Sequence, residues 1–133
     1  MIITAPLSVA RHIECDQKWL ITRQPQTIEG IRWVPELAPS KQLFARYMKE
    51  WKGKRPEEYW SMYVEAFERE LKTEEKLEAL RELWKLSSQG LTVALLCYCP
   101  KPEYCHRSLV GNFLRSFGVT VEEHVPKQAV IFE

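Results

Sequence analysis

The densest chemistry in the sequence is the segment Cys97 to Arg107, CYCPKPEYCHR. Cys97 and Cys99 stand two apart, so in an extended chain their thiols project to the same side and can face one cleft. Pro100 and Pro102 stiffen the next few residues. Cys105 to Ser108 then open a helix, whose free N–H groups and positive dipole end attract anions and lower a thiol pKa. On this reading Cys97 and Cys105 are candidate nucleophiles and His106 is a candidate acid or base near neutral pH. Arg107 offers a fork of donors suited to phosphate or carboxylate, with Ser108 beside it. Next to Arg107, the Cys105 thiol is expected to favour thiolate and to alkylate faster than Cys15.

Each of these residues has a plainer reading when taken alone. A free Cys at the end of an apolar strand is ordinarily core, and His106 and Arg107 can simply cap a helix or pair with Glu103. Only the cluster favours chemistry. A phosphatase loop, which needs an Arg six residues after its Cys, is a weak reading because Cys99 leads to Cys105 and Cys97 leads to Glu103. Cys97, Cys99, Cys105 and His106 have the right types for zinc, but a C-x-C pair followed by adjacent Cys and His departs from the usual zinc spacings. No cofactor is therefore expected, and structural zinc or a disulfide within this cluster remains the alternative.

The elements that must position these residues can be read from punctuation and period. Leu91 to Cys97 is continuously apolar, as a central strand covered on both faces would be. Trp19 to Thr22 suits a buried strand, placing Arg23 just beyond its carboxyl end. Ile31 to Val34 is a short extended piece within a connector rich in Pro and Gly. Three helices come next. Ser40 caps the first, with Leu43, Phe44, Tyr47, Met48 and Trp51 on one face. Pro56 opens the second, whose inner side carries Tyr59, Trp60, Tyr63, Val64, Phe67 and Leu71. Thr73 caps the third, with Leu77, Leu80, Leu83 and Trp84 facing inward and Gly90 closing it. After the Cys segment a fourth helix runs to Phe117 and Gly118, then short strands are expected at Val119 to Val125 and Ala129 to Phe132. The aromatic set on the first three helices could stack on bases, but its helical spacing favours core packing.

Strands separated by helices predict one domain over residues 1–133, an α/β fold of three layers with a mostly parallel sheet. Such folds bind ligands outside the carboxyl ends of their strands. Arg23 and the Cys97 segment both fall there, so Arg23 and Arg107 are expected in one cleft.

Composition sets the remaining bounds. With 133 residues, 45% of them hydrophobic, the chain can bury a core of its own. Its 19 basic and 18 acidic side chains leave a net charge of +1, which supplies no field for gripping random duplex nucleic acid or an anionic membrane. The longest apolar run is far too short to span a bilayer, and the N-terminus lacks the pattern of a secretory signal, so a cytoplasmic location with reduced thiols is expected.

Four stretches together resemble the bacterial and archaeal domain of unknown function 488 family: TRQP at Thr22 to Pro25, WVPELAPS at Trp33 to Ser40, the Trp- and Tyr-rich helix at Tyr59 to Phe67, and LLCYCPKPEYCHRS at Leu95 to Ser108. The resemblance spans nearly the whole chain and implies an α/β fold with a functional pocket, but it supplies no substrate. The family pattern often has acidic residues where this chain has Thr22 and Cys99. Combined with the site residues, it leads us to expect an enzyme acting on a small anionic ligand of nucleotide or nucleic-acid type, against the alternative of a non-catalytic binding module.

Overall fold

The computed structural model describes residues 1–125. Five strands form one all-parallel sheet in the order β3-β2-β4-β1-β5: β1 (Ile2–Pro6), β2 (Gln17–Leu20), β3 (Arg32–Trp33), β4 (Val93–Cys97) and β5 (Val121–Glu123). Four α-helices accompany them: α1 (Lys41–Arg46), α2 (Pro56–Glu70), α3 (Glu74–Ser88) and α4 (His106–Arg115). The expected three-layer α/β architecture is present, although its layers are unequal. Val93, Leu95 and Cys97 of β4 face a large core shared with the α-helices, while Ala94 and Leu96 face a smaller one closed by the 3-10 segment Leu7–His12.

β4 is fully buried along its length, which is why its sequence reads as one apolar run. Each of its leucines contributes about 2 kcal/mol by leaving water. β1 was not expected. Its Ile-Ile-Thr-Ala-Pro sequence shows neither alternation nor a long apolar run, yet it lies beside β4 with Ile2 paired to Val93. Tertiary pairing overrides its weak local signal. β2 begins two residues earlier than expected and ends earlier too, because Thr22 leaves the ladder to donate through its hydroxyl to the Gln24 carbonyl. β5 is shorter than its expected span, since Val119 still bonds to Leu114 at the end of α4. The strand expected at 129–132 lies outside the described residues.

The caps are largely those expected. The Ser40 hydroxyl accepts from Leu43 N–H, Pro56 occupies the first turn of α2, and Gly90 and Gly118 take the positive φ that ends a helix. Thr73 precedes α3, but its hydroxyl donates backwards to the Glu70 carbonyl instead of capping. α1 passes into a π-helical turn over Tyr47–Trp51. That turn rotates Met48 outward, and Trp84 is 52% exposed, so neither joins the core as expected.

Connections leave β2 and β4 in opposite directions across the sheet, β2 toward β3 and β4 through α4 toward β5. Parallel sheets open a crevice at such a reversal, above the carboxyl ends of the two strands.

Candidate functional site

A cavity of about 170 Å³ occupies that crevice. Thr22, Arg23 and Gln24 line it from the end of β2, Tyr98 and Cys99 from the end of β4, and Cys105 and His106 from the start of α4. Its remaining walls are mainly aromatic, including Phe44, Tyr47, Tyr59, Trp60, Tyr63 and Tyr104. Trp60 stacks on Tyr63 at 5.1 Å and meets Tyr104 edge-on, while Trp51 stacks on Tyr59. The aromatic set is thus core on one side and cavity wall on the other. Desolvation holds the Tyr63 phenol well above its ordinary value and pushes that of Tyr59 up to about 12, so both stay protonated at neutral pH.

Two sulfurs meet at the cavity floor. Cys97 Sγ lies 2.7 Å from Cys105 Sγ, and Arg107 Nη1 donates to Cys97 Sγ at 2.9 Å. Cys105 reaches the cavity, whereas Cys97 sits behind it. His106 Nε2 lies 2.5 Å from the Ile21 carbonyl, with Nδ1 3.9 Å from Cys105 Sγ. A carbonyl only accepts, so Nε2 carries the proton and Nδ1 presents its lone pair toward the thiol. Desolvation lowers the His106 pKa below the usual histidine value and keeps the ring neutral. Thiol, base and orienting acceptor therefore stand in one line.

The thiols titrate as a set. Hydrogen bonding from Cys105, then from Cys97, lowers Cys99, helped by the neighbouring His106 and Arg107 side chains. Cys99 is the exposed member of the set, and burial raises it less than these contacts lower it. Cys97 is pushed up to about 11: its bond with Cys105 lowers it, but Cys99 and burial raise it further. Hydrogen bonding with Cys97 and Cys99, reinforced by burial, drives Cys105 far up. The expectation of a resting thiolate at Cys105 is thereby corrected; its neighbours and burial outweigh the helix start.

Arg107 also departs from expectation. Its side chain is fully buried, with Nε and Nη2 donating to Glu123 at 3.0 and 2.9 Å and Nη1 also reaching the Cys99 carbonyl at 2.6 Å. Thr4 donates to the same Glu123 carboxylate. Arg107 does not line the cavity, and its donors are spent inside the protein. Ser108 likewise turns inward, donating to the Pro102 carbonyl. Arg23 does line the cavity, but Nε and Nη2 hold the carbonyls of Pro39 and Pro35. Of the expected arginine pair, one reaches the cleft and the other supports its floor.

Sequence reasoning missed Glu123, Glu70 and Lys76. Lys76 Nζ donates to the Glu36 and Ala38 carbonyls, and Glu70 accepts from the backbone N–H and hydroxyl of Ser40. One signal was available: Lys76, Leu80 and Leu83 share a helical stripe, so the lysine had to lie on the buried side. Among the described residues, no three His, Cys, Asp or Glu side chains form a group that could hold a metal ion.

A family description, the active DUF488-N3 subclade (DUF488-N3a), matches residues 6–118. The chain belongs to the DUF488 family. The match spans every element from the end of β1 to the end of α4, and so includes all the cavity residues of this DUF488 protein. No curated protein and no solved structure matches it.

Proposed function

We propose that this DUF488 protein is an enzyme acting on an anionic ligand with a planar ring, of the nucleotide or nucleic-acid-component class. Cys105 is its nucleophile and His106 its general base. The observation that carries this reading is the line from Cys105 Sγ to His106 Nδ1, with Nε2 anchored on Ile21, opening directly into the cavity. Nucleophile, base and orienting group in hydrogen-bonding sequence are the recurring parts of covalent catalysis, and such bonds are often long before a ligand arrives.

As Cys105 Sγ attacks an electrophilic atom of the ligand, its proton passes to His106 Nδ1. The imidazolium then returns that proton to the departing group. Because Cys105 rests as a thiol, the base is required at the moment of attack. The aromatic walls receive a flat ring, and the volume suits a single ring system. Arg23 stands at the same wall, where the Nη1 donors left over from Pro35 and Pro39 can meet an anionic substituent. Arg107 and Ser108 act as positioning residues, fixing Cys97 and the loop over Tyr98 to Tyr104. The subclade description, active, agrees with a catalytic reading.

The test is incubation with panels of nucleobases, nucleosides, nucleoside monophosphates and short single-stranded oligonucleotides. Turnover is followed by chromatography and binding by Trp60 fluorescence. One panel is expected to turn over, with Cys105→Ser inactive but still binding and His106→Gln slower by about a hundredfold to ten-thousandfold. Binding without turnover in the wild type would establish the binding-module alternative. No binding by any panel would overturn the ligand class.

A further inference from the structure

We propose that Cys97 and Cys105 form a redox couple in which Cys97 is the resolving thiol and an intramolecular disulfide is the oxidised state. The two sulfurs already lie 2.7 Å apart, well inside van der Waals contact, and both side chains are almost fully buried. Cys105 lines the cavity, where a small oxidant can reach it. Cys97 lies behind it with the Arg107 guanidinium against its sulfur, a contact that offsets part of the rise imposed by Cys99 and burial and steadies negative charge as the sulfur attacks.

Both cysteines are held by hydrogen-bonded backbone. Cys97 ends β4 in register with Pro6, and Cys105 is fixed at the start of α4, its N–H on the Pro102 carbonyl and its carbonyl receiving Ser108 N–H. Oxidation takes one acceptor from Arg107 but leaves its bonds to Glu123 and the Cys99 carbonyl. The four cysteines are free in the structure, so this is a transition open to the reduced protein. In reducing compartments, disulfides of this kind are ordinarily transient or redox-sensing.

With a hydroperoxide as oxidant the step balances. Cys105 Sγ, losing its proton to His106, attacks the terminal peroxide oxygen; the O–O bond breaks and the imidazolium returns the proton to the departing alkoxide, leaving a sulfenic acid and an alcohol, or water from hydrogen peroxide. Cys97 Sγ then attacks the Cys105 sulfur, the S–S bond forms, and hydroxide departs with the Cys97 proton as water. Two thiols are oxidised by two electrons and one hydroperoxide is reduced. The inference does not depend on the enzymatic reading. If Cys105 is the nucleophile, oxidation also switches the enzyme off.

The experiment treats the full chain with one equivalent of hydrogen peroxide, blocks remaining thiols with N-ethylmaleimide after denaturation, and reads intact mass and non-reduced peptide maps. The oxidised wild type should lose two alkylatable thiols, gain a linked pair of peptides containing Cys97 and Cys105, and regain both thiols with dithiothreitol. A Cys15→Ala/Cys99→Ala variant should still form the same Cys97–Cys105 linked pair and lose both of its remaining alkylatable thiols. Cys97→Ser should instead accumulate a dimedone-reactive sulfenic acid at Cys105. Should Cys97→Ser fold poorly, Arg107→Lys provides a second probe, with slower linkage to the same pair. A disulfide between Cys99 and Cys105, or four thiols still alkylatable, would overturn the proposal. Linkage without any ligand turnover would retain it while removing the enzymatic reading.

Discussion

Replacing Arg107 by alanine should destabilise the protein by about 3 kcal/mol, a loss set by what the guanidinium touches. Two parallel N–H···O bonds join it to Glu123, and its remaining nitrogen serves both Cys97 and the Cys99 carbonyl. Removing one partner of a buried ion pair costs roughly 3–5 kcal/mol, because the other charge stays behind uncompensated. The lower figure applies because the Glu123 side chain is 27% exposed and can recover some hydration. For a chain of this size that corresponds to a fall in Tm of roughly 10 °C. Arg107→Lys keeps the charge but not the fork, and should lose about half as much. Glu123→Gln should be at least as damaging as Arg107→Ala, since it strands the fully buried cation. Replacing the pair together by Met and Leu should recover most of the loss. Urea denaturation at neutral pH measures all four. A loss below about 1 kcal/mol for Arg107→Ala, or a silent Glu123→Gln, would refute the view that this pair holds the cavity floor.

Three further outcomes are expected. His106 has a lowered folded-state pKa, so on acidification the unfolded chain takes up its proton first; stability should fall as pH drops below about 6.5, and His106→Gln should flatten that slope in denaturant titrations. Lys76 is lowered too, chiefly by burial, so its charged form weighs against folding. Stability should therefore rise as pH increases from its lowered value toward the ordinary lysine value, a rise that Lys76→Met should abolish in thermal melts above neutral pH. Trp60→Ala should weaken any ring ligand found by the panels by roughly 5- to 150-fold, the usual worth of one stacking partner, measured by calorimetry; an unchanged affinity would place the ring elsewhere.

Much of the fold was legible in the sequence, for identifiable reasons. β4, α2 and the strand-loop-helix unit through Cys105 announce themselves because their whole burial pattern is local: a continuous apolar run, or one apolar stripe beside a cap. β1 was not legible, since Ile2 and Ile3 become strand only by pairing with β4 and β5. That part of the cysteine segment would share a cavity with Arg23 was legible because the ends of parallel strands converge. What each residue does there was not, because partners came from distant chain. Glu123 sits in a three-residue strand with no pattern of its own, yet it decides that Arg107 faces inward. The stripe Arg107, Val110, Leu114 was present in the sequence and, extended back to its first member, would have put that arginine on the buried face.

Besides their aromatic packing, the cavity walls are fastened by charged side chains that hold backbone carbonyls and the donors of Ser40. Arg23, Lys76 and Glu70 together hold the carbonyls of Pro35, Glu36, Ala38 and Pro39 and both donors of Ser40, so the TR and APS elements of the sequence are halves of one clamp. On the opposite side Arg107 and Ser108 fix the Cys99 and Pro102 carbonyls, and the Tyr98 hydroxyl donates across to Gln24. Opening either wall would leave charged groups without partners, at a cost of several kcal/mol. The Tyr98–Gln24 contact is exposed and joins side chain to backbone between the two clamps. For a ligand of the proposed class, the expected way in is displacement of that single bond of about 1 kcal/mol with both clamps intact, so Tyr98→Phe should leave the cavity walls in place.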